Sequence, residues 1–414
     1  MANIRPFKGI RPPKKYVSKI ASPPYDVINS KEAKEYVKKN KISFLHVVKP
    51  EIDLPDNTDI YSDAVYEKGK ENLQKLISDG YFIQDKLPSL YIYRQQMGNH
   101  IQTGIVAGAS CNEYKMNIIK KHELTRKDKE IDRANHIDIL NANTGPVFLT
   151  YKANTNIDEL VLKLTDRKPE NDFISEDGVR HTLFIIDTSE EVTALVDAFK
   201  SIKTLYIADG HHRSAAAVKI MEKRKSKDSN YSPNKEYNFF LSVIFPHNQM
   251  YVMDYNRVVK DINDNNEEEF LDKISKIFSV TQFTDNCPYK PEKKGTFGMY
   301  LFNKWYRLTV KQEYITDDPV KSLDVSILQN NVLSPILNIK KPRTDKRIDF
   351  IGGIRGLNEL EKLVNSGEYM IAFAFYPTSL EDLLNVADAN KIMPPKSTWF
   401  EPKLRSGIVI HKLS

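Results

Sequence analysis

The stretch Leu205-Tyr206-Ile207-Ala208-Asp209-Gly210-His211-His212-Arg213-Ser214-Ala215-Ala216-Ala217 decides the reading of this chain. An apolar run of strand character meets an Asp-Gly turn and re-emerges as an Ala-rich helical stretch. The first turn of that helix holds His211, His212 and Arg213. Backbone N–H groups at a helix start lack partners and carry partial positive charge, so an anion can bind there. A guanidinium adds a planar fork that fits two phosphate oxygens. Asp209 can pair with the neighbouring cations or offer oxygen to a divalent metal. Three small residues after Ser214 let the helix pack close to a sheet, which fixes where its N-terminus points. The competing reading is a plain strand–turn–helix junction with two solvated histidines and a surface arginine. Zinc has little support, because adjacent helical side chains diverge and the usual helical pair is spaced i, i+4.

Working outward, strands are predicted at 90–94, 102–107, 146–151, 182–186, 204–207 and 239–245, and a short one at 43–48. Helical patterns cover 31–39, 64–77, 127–140, 157–164 and 190–201. This is α/β or α+β alternation. The acidic, Asn-rich stretch 261–269 reads as a boundary, followed by a helix at 270–278. Strands at 297–302, 306–310, 370–375 and 408–411 then alternate with helices at 322–332, 357–365 and 380–387. The division expected is an N-terminal region 1–90, a catalytic core 91–258 and a C-terminal α+β domain 259–414 whose tail returns to the active site. No internal repeat, Walker loop or G-x-G-x-x-G occurs, and Gly352-Gly353-Ile354-Arg355-Gly356 reads as a turn before a helix.

The chain has 414 residues, 40% hydrophobic and 28% charged, as in ordinary globular proteins of two or three domains. Its net charge of +6, from 61 basic and 55 acidic residues, suits anionic small molecules at least as well as nucleic acid. No basic block reads as a nucleic-acid arm, and no run approaches a membrane span. Cys111 and Cys287 stand far apart, which argues against disulfides and cysteine zinc sites. With no apolar core of a signal peptide at the N-terminus, a cytoplasmic location is expected.

Three further clusters stand out. Ile118-Ile119-Lys120-Lys121-His122-Glu123-Leu124-Thr125-Arg126 ends a strand in ionisable groups, with Asp132, Arg133 and His136 on the helix beyond. A carboxylate flanked by His and Arg is well placed as a general base; the plainer reading is a charged strand end with Thr125 capping the next helix. Met393-Pro394-Pro395-Lys396-Ser397-Thr398-Trp399-Phe400-Glu401-Pro402-Lys403 sets polar groups among apolar anchors, as a pocket wall does, or simply buries a C-terminal strand. Ser22-Pro23-Pro24-Tyr25-Asp26-Val27 is either a rigid loop presenting Tyr25 and Asp26 or an ordinary turn.

Asp209-Gly210-His211-His212-Arg213, preceded by His122-Glu123 and the 125–140 helix, resembles the free serine kinases of the ParB/sulfiredoxin-like superfamily. Over its whole length, on Pro23-Pro24-Tyr25-Asp26-Val27, His122-Glu123-Leu124-Thr125, the 209–213 turn and the tail from Met393 to Gly407, the chain resembles a bacterial family of unknown function, DUF1015. The resemblance implies an α+β fold with a mixed α/β core, an added N-terminal region and a C-terminal domain. It implies a phosphotransferase interconverting serine and O-phosphoserine with ATP or ADP and Mg, in either direction. Glu123 then takes the hydroxyl proton, with His122 and His212 as its catalytic neighbours. Asp209, Gly210, His211, His212, Arg213, Thr125 and Arg126 hold the nucleotide phosphates, and Asp209 the metal. Tyr25, Asp26, Lys396, Ser397, Thr398, Trp399 and Lys403 are the expected substrate contacts. Sulfiredoxins place a catalytic cysteine near the equivalent turn; the histidines here argue against that chemistry. Two other classes stay open, a ParB-like nucleotide-dependent DNA-binding regulator and a non-catalytic sensor of a phosphorylated ligand. The first would need a basic helix-turn-helix, and none is visible. Oligomeric state is left open, homo-oligomer included.

Overall fold

The apolar runs found along the first half of the chain become neighbours in one nine-stranded sheet. Its members are β1 (Ile4–Arg5), β2 (Leu90–Met97), β3 (His100–Ser110), β4 (Ile119–Lys120), β5 (Val147–Tyr151), β6 (Asn171–Ile174), β7 (Arg180–Ile186), β8 (Leu205–Asp209) and β9 (Phe239–Pro246). Their order is β4-β8-β5-β9-β3-β2-β7-β6, with β1 added beside β3. The pairs β4/β8 and β5/β9 are parallel and the rest antiparallel, so the sheet is mixed. β5 and β9 are buried on both faces, which is why they read as unbroken apolar runs. The computed structural model describes residues 1–414.

The longer helices of this part are α1 (Ser30–Val37), α2 (Asp63–Ser78), α3 (Lys127–Leu140), α4 (Thr155–Leu164), α5 (Ser189–Phe199) and α6 (His211–Lys225). α6 packs its small residues Ala216 and Ala217, with Ile220 and Met221, into the main core beside Ile207, Leu149 and Ala134 of α3. A second cluster gathers Ile20, Val37, Phe44, Leu45, Leu73 and Phe82 under the N-terminal segment, joined by Leu140 and Ile410. Residues 43–48, expected as a strand, form a helical turn at Leu45–Val48. A short apolar run fits a buried helix as well as a strand, and here Phe44, Leu45, Val47 and Val48 are all buried.

Two compact units emerge, Met1–Met250 with Pro402–Ser414, and Tyr251–Glu401. The N-terminal ninety residues, read from sequence as a region of their own, belong to the first unit, where β1 pairs with β3. The boundary falls at 250/251, ahead of the acidic stretch at 261–269. The tail re-enters the first unit through the bridges Ser22↔Ser406 and Ile10↔Ile410 and the short pair His411–Lys412 with Ala142–Asn143. Of the strand expected at 408–411, only His411–Lys412 forms.

The second unit holds a six-stranded antiparallel sheet of β10 (Tyr255–Val259), β11 (Phe278–Phe283), β12 (Thr296–Leu301), β13 (Lys304–Val310), β14 (Ile348–Gly352) and β15 (Ile371–Phe375), in the order β11-β13-β12-β15-β10-β14. Helices α7 (Glu267–Ile277), α8 (Asn358–Asn365) and α9 (Leu380–Asp388) accompany it. The expected helix at 322–332 is α-helical only over Asp324–Leu328 and continues as a π turn over Gln329–Leu333. Its first and last strands meet, Tyr251–Met253 pairing antiparallel with Trp399–Glu401. No helix of the protein is long and apolar enough to cross a membrane.

Candidate active site

The decisive stretch folds as read. β8 ends at Asp209, Gly210 takes a left-handed φ of 96°, and α6 starts at His211 with no side-chain cap. The Gly210 N–H is spent on Asp209 Oδ1 at 2.8 Å. A Cβ on Gly210 would lie 3.2 Å from the Arg213 guanidinium carbon and 3.3 Å from Val147 Cα. Gly210→Ala is therefore expected to cost about 1–2 kcal/mol from left-handed strain alone, read by urea unfolding. An unchanged midpoint would show that the turn relaxes freely.

Below the turn lie two buried imidazoles, His122 and His211, edge to face with ring centroids 4.5 Å apart. Burial pushes His122 down to about 4, against the opposing pull of Asp209 and a hydrogen bond to the Ile207 backbone. Burial, then His122, holds His211 well below the usual histidine value. Both rings are thus neutral at pH 7, and His122 Nδ1 and His211 Nε2 have no protein partner. Glu123 Oε2 stands 4.0 Å from His211 Nδ1, with its side chain 37% exposed. His212 points the other way along the turn, its Nε2 accepting from the Arg126 N–H at 3.1 Å. Arg126 itself is exposed and paired with Asp128.

Arg213 is buried, and its fork is largely occupied. Nη1 donates to the Pro146 carbonyl, while Nη2 faces Asp209 at 3.7 Å and Asp26 at 3.9 Å. Arg213, the expected phosphate contact, thus also ties three loops together, with Nη2 beyond hydrogen-bond distance of both carboxylates and Nε buried without a hydrogen-bond partner. No sequence signal names a backbone carbonyl, so the role of Pro146 was not legible. Burial works against Asp209, yet Lys403 at 3.6 Å, then Arg213, hold its carboxyl well below the ordinary range. Arg213→Lys keeps the charge but loses the planar fork. It should cost about 1–2 kcal/mol through the lost carbonyl and carboxylate contacts, read by denaturant unfolding; an unchanged stability would deny the fastening role.

Around this centre, Tyr25 is capped by the Arg133 guanidinium at 4.1 Å, and burial, then Asp26, pushes its phenol up. Arg133 pairs with Asp132, which accepts from Tyr66 Oη at 3.0 Å. A small cavity there is lined by Tyr25, Arg133, Asn143, Thr144, Arg213 and Ser406. Thr125 does not cap α3: the cap position is Arg126, and the Thr125 hydroxyl bonds Glu130.

The structure thus gathers Tyr25, Asp26, His122, Glu123, Asp209, Gly210, His211, Arg213 and Lys403 in one unit. The remaining expected substrate residues lie in the second unit. There Lys396 sits over the Tyr255 ring at 5.4 Å, and its carbonyl accepts from Arg257 at 2.9 Å. The Ser397 hydroxyl donates to Pro394 O at 2.6 Å, Thr398 is half-buried, and Trp399 packs edge-on against Tyr255 and donates to Glu401 at 2.7 Å. No group of three His, Cys, Asp or Glu side chains is placed to hold a metal ion. Asp209, expected as the metal ligand, faces Lys403 and Arg213. The residues present do not form a protein cage for magnesium.

Among solved structures, a free serine kinase in complex with AMP is similar at 13% identity and a TM-score of 0.35, covering 74% of this chain and 91% of that one. A mutant of free serine kinase in complex with ADP gives 12% and 0.35 over the same shares. A conserved hypothetical protein from Pyrococcus furiosus gives 13% and 0.33, over 74% of this chain and 95% of that one. No curated protein matches the chain. The model of a family described as "Protein of unknown function (DUF1015)" matches residues 4–326. With more than half of its length so matched, the chain belongs to the DUF1015 family.

Proposed function

We propose that the first unit is a phosphotransferase that moves a phosphoryl group between an adenine nucleotide and the hydroxyl of a small amino acid such as serine. The observation that carries this reading is the uncapped start of α6 behind Gly210, with the partly exposed Glu123 carboxylate 4.0 Å from buried, neutral His211. An open helix start receives phosphate oxygens. Phosphoryl transfer asks little covalent work of a protein and much positioning. In the forward step the Glu123 carboxylate takes the hydroxyl proton while the serine oxygen bonds phosphorus. The bond from phosphorus to the nucleotide's bridging oxygen breaks, and the diphosphate leaves. Serine as the acceptor rests on the motif resemblance to free serine kinases. Magnesium that accompanies the nucleotide would draw most of its ligands from the phosphates and water.

Purified full-length protein incubated with magnesium and either serine plus ATP, or phosphoserine with ADP, AMP or no nucleotide, tests the reading. Nucleotide-dependent exchange between serine and phosphoserine supports it. Release of phosphate from phosphoserine without nucleotide would replace it with a phosphatase. Saturable binding without turnover would replace it with a sensor of phosphorylated ligands.

A further inference from the structure

The second unit contains a cleft of about 650 Å³, within the size range of small-molecule sites. Its floor is Asp324, 7% exposed, whose two carboxylate oxygens share a single neutral donor, the Gly295 N–H, at 2.9 and 3.1 Å. One wall is the loop before Asp324, which is held in place: Asp318 Oδ1 accepts from Val320 N and Lys321 N, and its Oδ2 pairs with Lys391 at 2.6 Å. The opposite wall is α9, which presents Asp382 and Asn385 one turn apart. Lys294, the cation of the lining, is already paired with Asp382 at 2.6 Å. Asp317 and Asp324 therefore have no cation of their own in the lining, Lys294 being shared with Asp382. Val310, Ile315, Pro319 and Ile327 supply apolar surface beside them.

A buried carboxylate asks for a charged, hydrogen-bonding partner, and the apolar surface asks for methylenes. We propose that this cleft is a second small-molecule site, taking an aliphatic primary ammonium compound whose head group lies on Asp324. The proposal is independent of the phosphotransfer reading. Burial pushes the Asp324 carboxyl up to about 7, opposed by the Gly295 N–H and Lys294 and reinforced by Asp382. The groups facing it are thus Lys294, Asp382 and, from the loop, Asp317. An ammonium ion prefers the ionised carboxylate, so binding strengthens as pH rises through 7.

Calorimetry on the full chain with 1,4-diaminobutane tests this, with 1,4-butanediol and inorganic phosphate as comparison probes. Saturable diamine binding is expected at pH 8, about tenfold weaker at pH 6 as Asp324 protonates, with neither comparison probe bound. Asp324→Asn keeps the shape and should weaken binding at least about tenfold, in line with loss of a charge-assisted contact. Asn385→Arg, at an exposed position of α9, places a cation at the mouth and should weaken binding similarly without touching the fold. The proposal is overturned if the diamine does not bind saturably, if diol or phosphate binds as well, or if folded Asn385→Arg and Asp324→Asn proteins bind like wild type.

Discussion

Glu123→Gln is expected to leave nucleotide binding intact and to cut serine phosphorylation by about a hundredfold or more, the range of acid–base catalysis. Glu123 is half-open to solvent, whereas its neighbours His122 and His211 are sealed below and neutral. Of the three groups only the Glu123 carboxylate is open to an incoming hydroxyl, which is why the proposal gives it the role of base. The amide keeps the size and the hydrogen bonding of the side chain but cannot take the proton. Calorimetry with nucleotide and a turnover assay on one preparation separate the two effects. If the variant matched an active wild type, the base would be sought next at Asp26, a partly exposed carboxylate beside Arg213.

Stability is expected to collapse in mild acid, because four histidines are buried in the neutral state. Burial is the largest cause in each case: His122 is pushed down to about 4, His136 and His181 to about 3, and His211 well below its ordinary value. In the unfolded chain the same groups titrate near 6.5. Below that pH the unfolded state binds more protons than the folded one, so stability is lost as pH falls toward 4. Each such histidine contributes up to about 1.4 kcal/mol per pH unit. Asp324 works in the opposite direction, since its raised carboxyl lets the folded state hold a proton that the unfolded chain releases between about 7 and 4. One such group offsets only one histidine. Urea titrations at pH 7.5, 6 and 5 measure the slope. His181→Gln should shed about one histidine's share, because the amide retains hydrogen bonding toward Tyr93 and Ser175, the two present partners. A stability flat from pH 7.5 to 5 would contradict the sealed imidazoles.

The junction at 205–217 was readable because the pattern changes at a glycine: a continuous apolar strand, then an Ala-rich run of high helix propensity. The left-handed φ at Gly210 is what an Asp-Gly turn announces. The helix at 190–201 was readable because Val192, Leu195, Val196 and Phe199 recur at helical spacing, whereas 127–140 carries a weaker stripe that mixes Asp132 and His136 with Ala134, Ile137 and Leu140. Leu45–Val48 was not readable, because its three apolar residues, Leu45, Val47 and Val48, are too few to carry a period. The engagement of Arg213 was hidden too. Its partners are a carbonyl at 146 and carboxylates at 26 and 209, and only the last is near it in sequence. The discontinuity of the first unit was equally silent, because the pairings Ser22↔Ser406 and Ile10↔Ile410 span almost the whole chain and leave no local mark.

That discontinuity bears on how the protein is made and how it can be cut. During synthesis the nine-stranded sheet needs nothing beyond residue 246, but the first unit is completed only by the tail, since Ala142–Asn143 pairs with His411–Lys412. Its closing contacts form after the whole of Tyr251–Glu401 has left the ribosome. The waiting segment nonetheless begins and ends at one place, because Tyr251 and Glu401 are cross-strand partners. Opposed residues of an antiparallel ladder lie about 5 Å apart, a gap that a tight turn closes. Tyr251–Glu401 is thus expected to be exchangeable for a short loop joining Met250 to Pro402, and its ends mark where a foreign domain could be grafted.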